Sequence, residues 1–247
     1  MPPERSEEAE WRSRRQFPST RWSLISSVRN TDSRAETALA DLCQAYWPPI
    51  YAFARSRGHS VDRAEDLTQG FFTSLLEREL VVKADRQRGR FRTFLLTAFT
   101  GFMANEHARA NAQKRGGGHA ILSIDVEAAE AHVLIEAADN LTPETLFARQ
   151  WARTLLNRAL DRLTELERAA HPGTFDRLSG YLLGTETSLS YRELAQELGL
   201  TEGAVKVSVH RLRKRFGQLL RDEVAETVDG TEAVSEELRF LLEALRN

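Results

Sequence analysis

The sequence predicts an all-α protein with two helical domains, joined by a flexible acidic linker, and the C-terminal domain carries a helix-turn-helix. Glycine and proline are few, at 14 and 7 of 247 residues. Strand-like alternation is scarce, and apolar residues recur at helical spacing along most of the chain. We divide the chain into an N-terminal tail with a short helix (1–29), a first domain (30–115), a linker (116–142), a second domain (143–222) and an acidic amphipathic tail (223–247).

Three helices are predicted in the first domain, over residues 34–47, 60–77 and 90–113. Pro48 and Pro49 should interrupt or kink the first helix, because each removes a backbone hydrogen-bond donor. A further turn or two then follows and ends near a glycine.

The second and third of these helices carry opposite charges. On the second helix, the face opposite the apolar stripe holds Asp62, Glu65, Asp66 and Gln69, and such a face is either solvated or a binding surface. The third helix and the two residues after it combine aromatic residues with a polar and cationic set: Arg90, Arg92, Asn105, Arg109, Lys114 and Arg115. Aromatic and polar residues among cations suit single-stranded or melting DNA, although most of these aromatic side chains are also expected in the core.

The second domain begins with a predicted helix, because Thr142 is a good N-cap and Pro143 suits the first helical position. Residues 190–216 then predict a helix-turn-helix. Ser190 and Glu193 match a capping box, and Gly199 provides a sharp turn at low cost.

The second helix of this motif has an apolar stripe backed by cations, as a recognition helix in a major groove requires. From 203 to 221 it carries six Lys and Arg residues and no Asp or Glu. The alternative is an ordinary surface pair, but surface helices usually mix charge signs. We expect DNA contacts from Glu202, Gly203, Lys206, His210, Arg211, Arg213 and Lys214.

Composition excludes several other classes of protein. The net charge of −2 hides two basic blocks, over 83–115 and 203–221, which suggest two surfaces that face phosphates.

Cys43 is the sole cysteine, so a disulfide within the chain is impossible, and we expect it to be buried. No phosphate loop, zinc-binding helix or nucleophile elbow occurs, so we predict no enzyme, metal or cofactor. The N-terminus lacks the apolar run of a signal peptide, and a cytoplasmic protein without a membrane segment is expected.

The order of acidic helix, basic aromatic helix, acidic linker and helix-turn-helix resembles bacterial RNA polymerase sigma factors. It is most similar to the extracytoplasmic-function (ECF) group of the sigma-70 family. The resemblance covers roughly residues 17–222 and rests on AEDLTQGFF (64–72), GRFRTFLL (89–96), KRGGG (114–118) and LSYRELAQELGLTEGAVKVSVHRLRKRF (189–216).

The resemblance implies that the protein binds core RNA polymerase and directs promoter recognition and opening. Asp62, Glu65, Asp66 and Gln69 fall where the family docks on core polymerase, and the first domain faces the minus-ten element through Arg90, Arg92, Asn105, Arg109, Lys114 and Arg115. The second domain corresponds to the one that reads the minus-thirty-five element. Core polymerase and promoter DNA are the implied partners, and an anti-sigma factor or a regulatory kinase is a further candidate. The alternative is a helix-turn-helix regulator that acts without polymerase, which leaves the acidic face and the basic helix unexplained.

The tail after residue 222 carries acidic residues and an apolar stripe of Leu238, Leu241, Leu242 and Leu245. A helix this short needs a partner to be stable. We expect that partner to be the protein itself, at the core of the second domain or in the interdomain groove. We also expect the acidic charge to lie near the recognition helix and to inhibit DNA binding mildly.

Overall fold

The structure, a computed structural model, describes residues 33–76, 90–112, 141–182, 189–228 and 230–246. These residues are helical with no strand among them, which confirms the all-α class. The α-helices are α1 (Ser33–Ser56), α2 (Val61–Leu76), α3 (Phe91–Ala112), α4 (Pro143–Ala170), α5 (Thr174–Leu178), α6 (Tyr191–Leu198), α7 (Glu202–Ala225) and α8 (Thr231–Arg246). A 3₁₀ turn, Ser179–Tyr181, follows α5. The predicted short N-terminal helix, nearly all of the linker, Lys114 and Arg115 lie outside the described residues.

Pro48 and Pro49 were predicted to interrupt or kink α1, and the interruption is wrong, because the helix runs through both and ends at Ser56. Residues on both sides of the prolines are buried in the same core, including Tyr46, Trp47 and Ile50. Their burial offsets the missing backbone donors, since a fully buried large side chain contributes about 1.5–3 kcal/mol. Gly58 has a φ of 88° just after the helix, as the predicted ending requires.

One hydrophobic cluster joins the first domain to α4. Tyr46 of α1 stacks on Trp151 of α4 with ring centroids 4.6 Å apart, and Phe91 of α3 lies 5.4 Å from Tyr46. The cluster continues through α2, where Phe71 lies 5.1 Å from Phe99 of α3. The first half of α4 therefore packs on the residues of the first predicted domain.

A second cluster surrounds the helix-turn-helix. It draws Ala159 and Leu163 from the second half of α4, Leu194 from α6, and Val205 and Val209 from α7. Because α4 contributes to both clusters, it connects the two hydrophobic cores, and α7 does the same through Val209 and Val224.

Each of three buried glutamates is paired with an arginine on a different helix. Glu167 of α4 accepts from Arg215 of α7 at 2.5 Å, and Glu223 of α7 accepts from Arg158 of α4 at 3.1 Å. Glu237 of α8 accepts from Arg92 of α3 at 2.7 Å. A buried carboxylate is tolerated only when it is paired, so these contacts set how the helices lie against one another.

The tail does pack on the protein itself, as expected, but only two of the four leucines in the predicted stripe, Leu238 and Leu241, face the core. Leu241 and Ala244 are buried and Leu238 is partly buried, whereas Leu242 is 62% exposed and Leu245 is also exposed. Val224, Val228 and Leu241 belong to the first cluster, so the tail lies against the first domain and the start of α4.

Candidate nucleic-acid interface

Local capping interactions build the helix-turn-helix. The Ser190 backbone N–H donates to Glu193 Oε2 at 2.7 Å, and the Glu193 N–H donates to Ser190 Oγ at 3.3 Å, which completes the capping box. Gly199 adopts a left-handed φ of 65° at the turn. Thr201 then caps α7 by accepting from the Ala204 N–H at 3.2 Å. These contacts fix where the recognition helix α7 starts.

The packing of α7 defines one outward surface. Val205, Val209 and Leu212 are buried against the second cluster. The opposite side exposes residues at intervals of four, three and four, namely Gly203, Val207, His210 and Lys214. We call this set the outward face. It includes three of the predicted contact residues, and the exposed Arg211 borders it.

Glu202 and Lys206 lie beside the outward face and pair with each other. Lys206 Nζ is 2.6 Å from Glu202 Oε1 and 5.9 Å from the centre of the Tyr191 ring on α6. The hydrogen bond from Lys206 lowers the pKa of Glu202, and the reciprocal contact raises the pKa of Lys206. The ammonium group is therefore held near the start of α7, where recognition helices reach base edges.

Arg213 differs from the other predicted contact residues. Its Nη2 donates to the Tyr181 carbonyl at 2.7 Å, and its Nε lies 3.2 Å from the carbonyls of Tyr181 and Leu182. The guanidinium thus caps the carbonyl end of the 3₁₀ turn. Its neighbour Lys214 is exposed and has no ion pair within the part of the chain that the structure describes.

We predict that Arg213→Ala lowers the free energy of unfolding by about 1–3 kcal/mol, because it removes the charge-assisted hydrogen bonds that the guanidinium donates to the Tyr181 and Leu182 carbonyls. Lys214→Ala is the matched control, and we expect it to change that free energy by less than about 0.5 kcal/mol. Urea unfolding monitored by circular dichroism measures both. Equal stability of the two variants would contradict the capping role of Arg213.

The acidic face of α2 points away from the core. Asp62 and Asp66 are exposed, Glu65 and Gln69 are half-buried, and the apolar side of α2 is buried. Gly70 allows α2 to approach α3 closely, since an added Cβ there would lie 3.2 Å from Phe102 Cζ. The face is therefore presented on a helix that packs tightly against α3.

The predicted DNA contacts of α3 are divided between two environments. Asn105 is exposed on α3, and Arg109 lies near its C-terminal end, where only the backbone is described. Arg90 and Arg92 lie at the start of α3 and contact the tail helix. Arg90 lies 2.7 Å from Glu236, and the Arg92 guanidinium lies over the Phe240 ring at 3.6 Å. The carboxylates of Glu236 and Glu237 thus face the first domain, whereas the sequence led us to expect the acidic charge of the tail near the recognition helix.

Sequence reasoning missed two participants. Val207 is 51% exposed at the middle of the outward face, and its spacing from Gly203 and His210 was the available signal. Glu237 of α8 is fully buried against the start of α3. A local sequence pattern cannot indicate this burial, because the arginine that pairs with the carboxylate lies 145 residues away. The prediction for Cys43 is confirmed, because the residue is buried and burial raises the pKa of its thiol to about 12.

A helix-turn-helix whose outward face carries Lys214 and is bordered by Arg211, on an all-α chain that also has an acidic helix, is typical of a DNA-binding protein. The profile of the ECF sigma factor family matches residues 21–222, and the chain belongs to that family. It is therefore a transcription initiation factor, from a family that is not a catalytic one. No curated protein and no solved structure matches the chain significantly. Among the described helices, none is long and apolar enough to cross a membrane.

Proposed function

We propose that the protein binds core RNA polymerase through the acidic face of α2 and directs it to promoters that α7 recognises. The observation that carries this proposal is the outward face of α7, which is accessible and positioned by capping contacts. In the same proposal, α3 faces the minus-ten DNA through Arg90, Arg92, Asn105, Arg109, Lys114 and Arg115. An anti-sigma factor or a kinase remains a candidate regulator.

The charges of the two surfaces support different partners. Asp62 and Asp66 are exposed carboxylates one helical turn apart, which suits a basic protein surface better than DNA. The outward face and its border are cationic through Arg211 and Lys214, which suits phosphates. One chain thus carries separate surfaces for a protein and for a nucleic acid.

Run-off transcription with purified core polymerase and a library of genomic promoters tests the proposal. We expect specific transcripts only when both core polymerase and this protein are present. An independent regulator instead binds duplex DNA tightly without polymerase and adds no core-dependent transcript. That result, together with failure to co-purify with core polymerase, would refute the proposal.

A second test separates base reading from phosphate binding on α7. We predict that Lys206→Ala changes promoter preference by about 1–3 kcal/mol, because Lys206 lies near the start of the recognition helix. Lys214→Ala should weaken binding to all sequences alike and reduce its salt dependence. Competition among variant promoters, measured with holoenzyme at several salt concentrations, gives both quantities. If Lys206→Ala leaves preference and affinity intact, the assignment of this residue is wrong.

A further inference from the structure

We propose that α8 is an autoinhibitory latch, which occupies Arg90 and Arg92 in the free protein and keeps them from DNA. The inference rests on the proposed function only in taking these two arginines as DNA contacts. It assigns a regulatory role to the tail, which lies beyond the residues 21–222 that match the family.

The contact engages both guanidinium groups. Glu236 Oε2 lies 2.7 Å from Arg90 Nη2, and Glu237 uses both of its carboxylate oxygens, at 2.7 Å from Arg92 Nε and 3.3 Å from Arg90 Nε. The Phe240 ring covers the Arg92 guanidinium at 3.6 Å. The Arg92 side chain retains 16% of its exposure, and Glu237 retains 1%. Arg92 Nε and Arg90 Nη2 are therefore already engaged by carboxylates, and the Arg90 side chain retains 34% of its exposure.

Binding of DNA and docking of α8 exclude each other. If the two arginines turned toward phosphates while α8 stayed in place, Glu237 would remain buried without a counter-charge. Such an unpaired buried charge is strongly unfavourable. DNA that uses these arginines must therefore displace α8.

The latch has a separate apolar anchor that explains why α8 docks at all. Leu241 and Ala244 are buried, and Leu241 belongs to the first hydrophobic cluster. The Phe91 backbone N–H, at the start of α3, donates to the Thr227 carbonyl at 3.0 Å. This hydrogen bond places the turn before α8 directly against α3. Once released, a helix of 16 residues is marginally stable alone, so undocking and unfolding of α8 should occur together.

A charge-matched pair of double variants tests the latch. Glu236→Gln with Glu237→Gln removes the carboxylates that contact the arginines. Glu232→Gln with Glu243→Gln removes two exposed carboxylates from the same helix, with the same change in net charge. The probe is a fluorescein-labelled single-stranded deoxyoligonucleotide, titrated by anisotropy at low salt without polymerase. We expect the first variant to bind about 5- to 150-fold more tightly than wild type, the usual range for coupling between two sites. The control should stay close to wild type.

Hydrogen exchange of residues 231–246 gives an independent reading on the unaltered chain. We expect saturating oligonucleotide to increase exchange of these amides, because DNA displaces α8. The latch proposal is overturned if these amides keep the same protection from exchange when DNA is bound. It is also overturned if the two double variants gain affinity for the oligonucleotide equally, or if neither gains any. Run-off transcription tests the proposed function separately, since the latch experiments contain no polymerase.

Discussion

Replacing Trp151 with alanine should lower the free energy of unfolding by about 3–5 kcal/mol, the usual cost of removing a buried tryptophan. Trp151 is completely buried and lies among aromatic rings of three helices. Its ring stacks on the ring of Tyr46, and the centroid of its ring lies 6.0 Å from the ring centroids of both Phe91 and Phe147. The substitution therefore opens a cavity where α1, α3 and α4 meet.

Chemical denaturation of the full chain measures this loss. Leu166→Ala on the same helix is the control, because Leu166 is exposed and its truncation should cost less than about 0.5 kcal/mol. Because α4 contributes to both hydrophobic clusters, we expect the wild-type chain to unfold in a single transition. Two separated transitions, with only one moved by Trp151→Ala, would contradict the connection of the cores through α4.

The features that the sequence predicted well depend on neighbours in the chain. The N-caps at Thr142 and Ser190 form as expected, because each hydroxyl accepts from a backbone N–H three residues later. The burial of Val205 and Val209 follows from helical spacing alone. The exposed side of the recognition helix was predictable for the same reason.

The features that the sequence did not predict depend on contacts between distant segments. Trp151 reads as core of the second domain, yet its stacking partner Tyr46 lies in the first. On α8 the spacing of the leucines predicts that the buried face includes Leu242. The structure instead buries Glu237, because the arginines at the start of α3 neutralise its carboxylate. A hydrophobic pattern assigns any carboxylate to the surface. Its burial becomes predictable only when the residue that pairs with it in the folded protein is known.

Arg213 shows the same limit at the candidate interface. Its position in a one-signed helix predicts contact with phosphates, as for Lys214. The structure instead directs its guanidinium to the carbonyls of Tyr181 and Leu182. The number of cationic residues on α7 therefore overestimates how many of them are available to contact DNA alone.

Reversing the charge of Asp66 on the acidic face should weaken binding to core polymerase. Like charges placed across an interface cost several kcal/mol, and each 1.4 kcal/mol is about a tenfold loss of affinity. Asp66 is exposed on α2, so Asp66→Lys should leave the free energy of unfolding within about 0.5 kcal/mol of wild type. A loss of binding would then report the interface and not the fold.

Glu165→Lys provides the control for this reversal, because it changes the net charge equally at an exposed position on α4, outside the acidic face. Titration of labelled core polymerase with each variant gives the affinities, and salt should reduce the difference between them, since exposed charges are screened over about 8–10 Å. If both reversals weaken binding equally, core polymerase senses only the net charge. If neither does, α2 lies outside the interface. A selective loss with Asp66→Lys means that the acidic face of α2 is the docking surface, on a helix held close to α3 at Gly70.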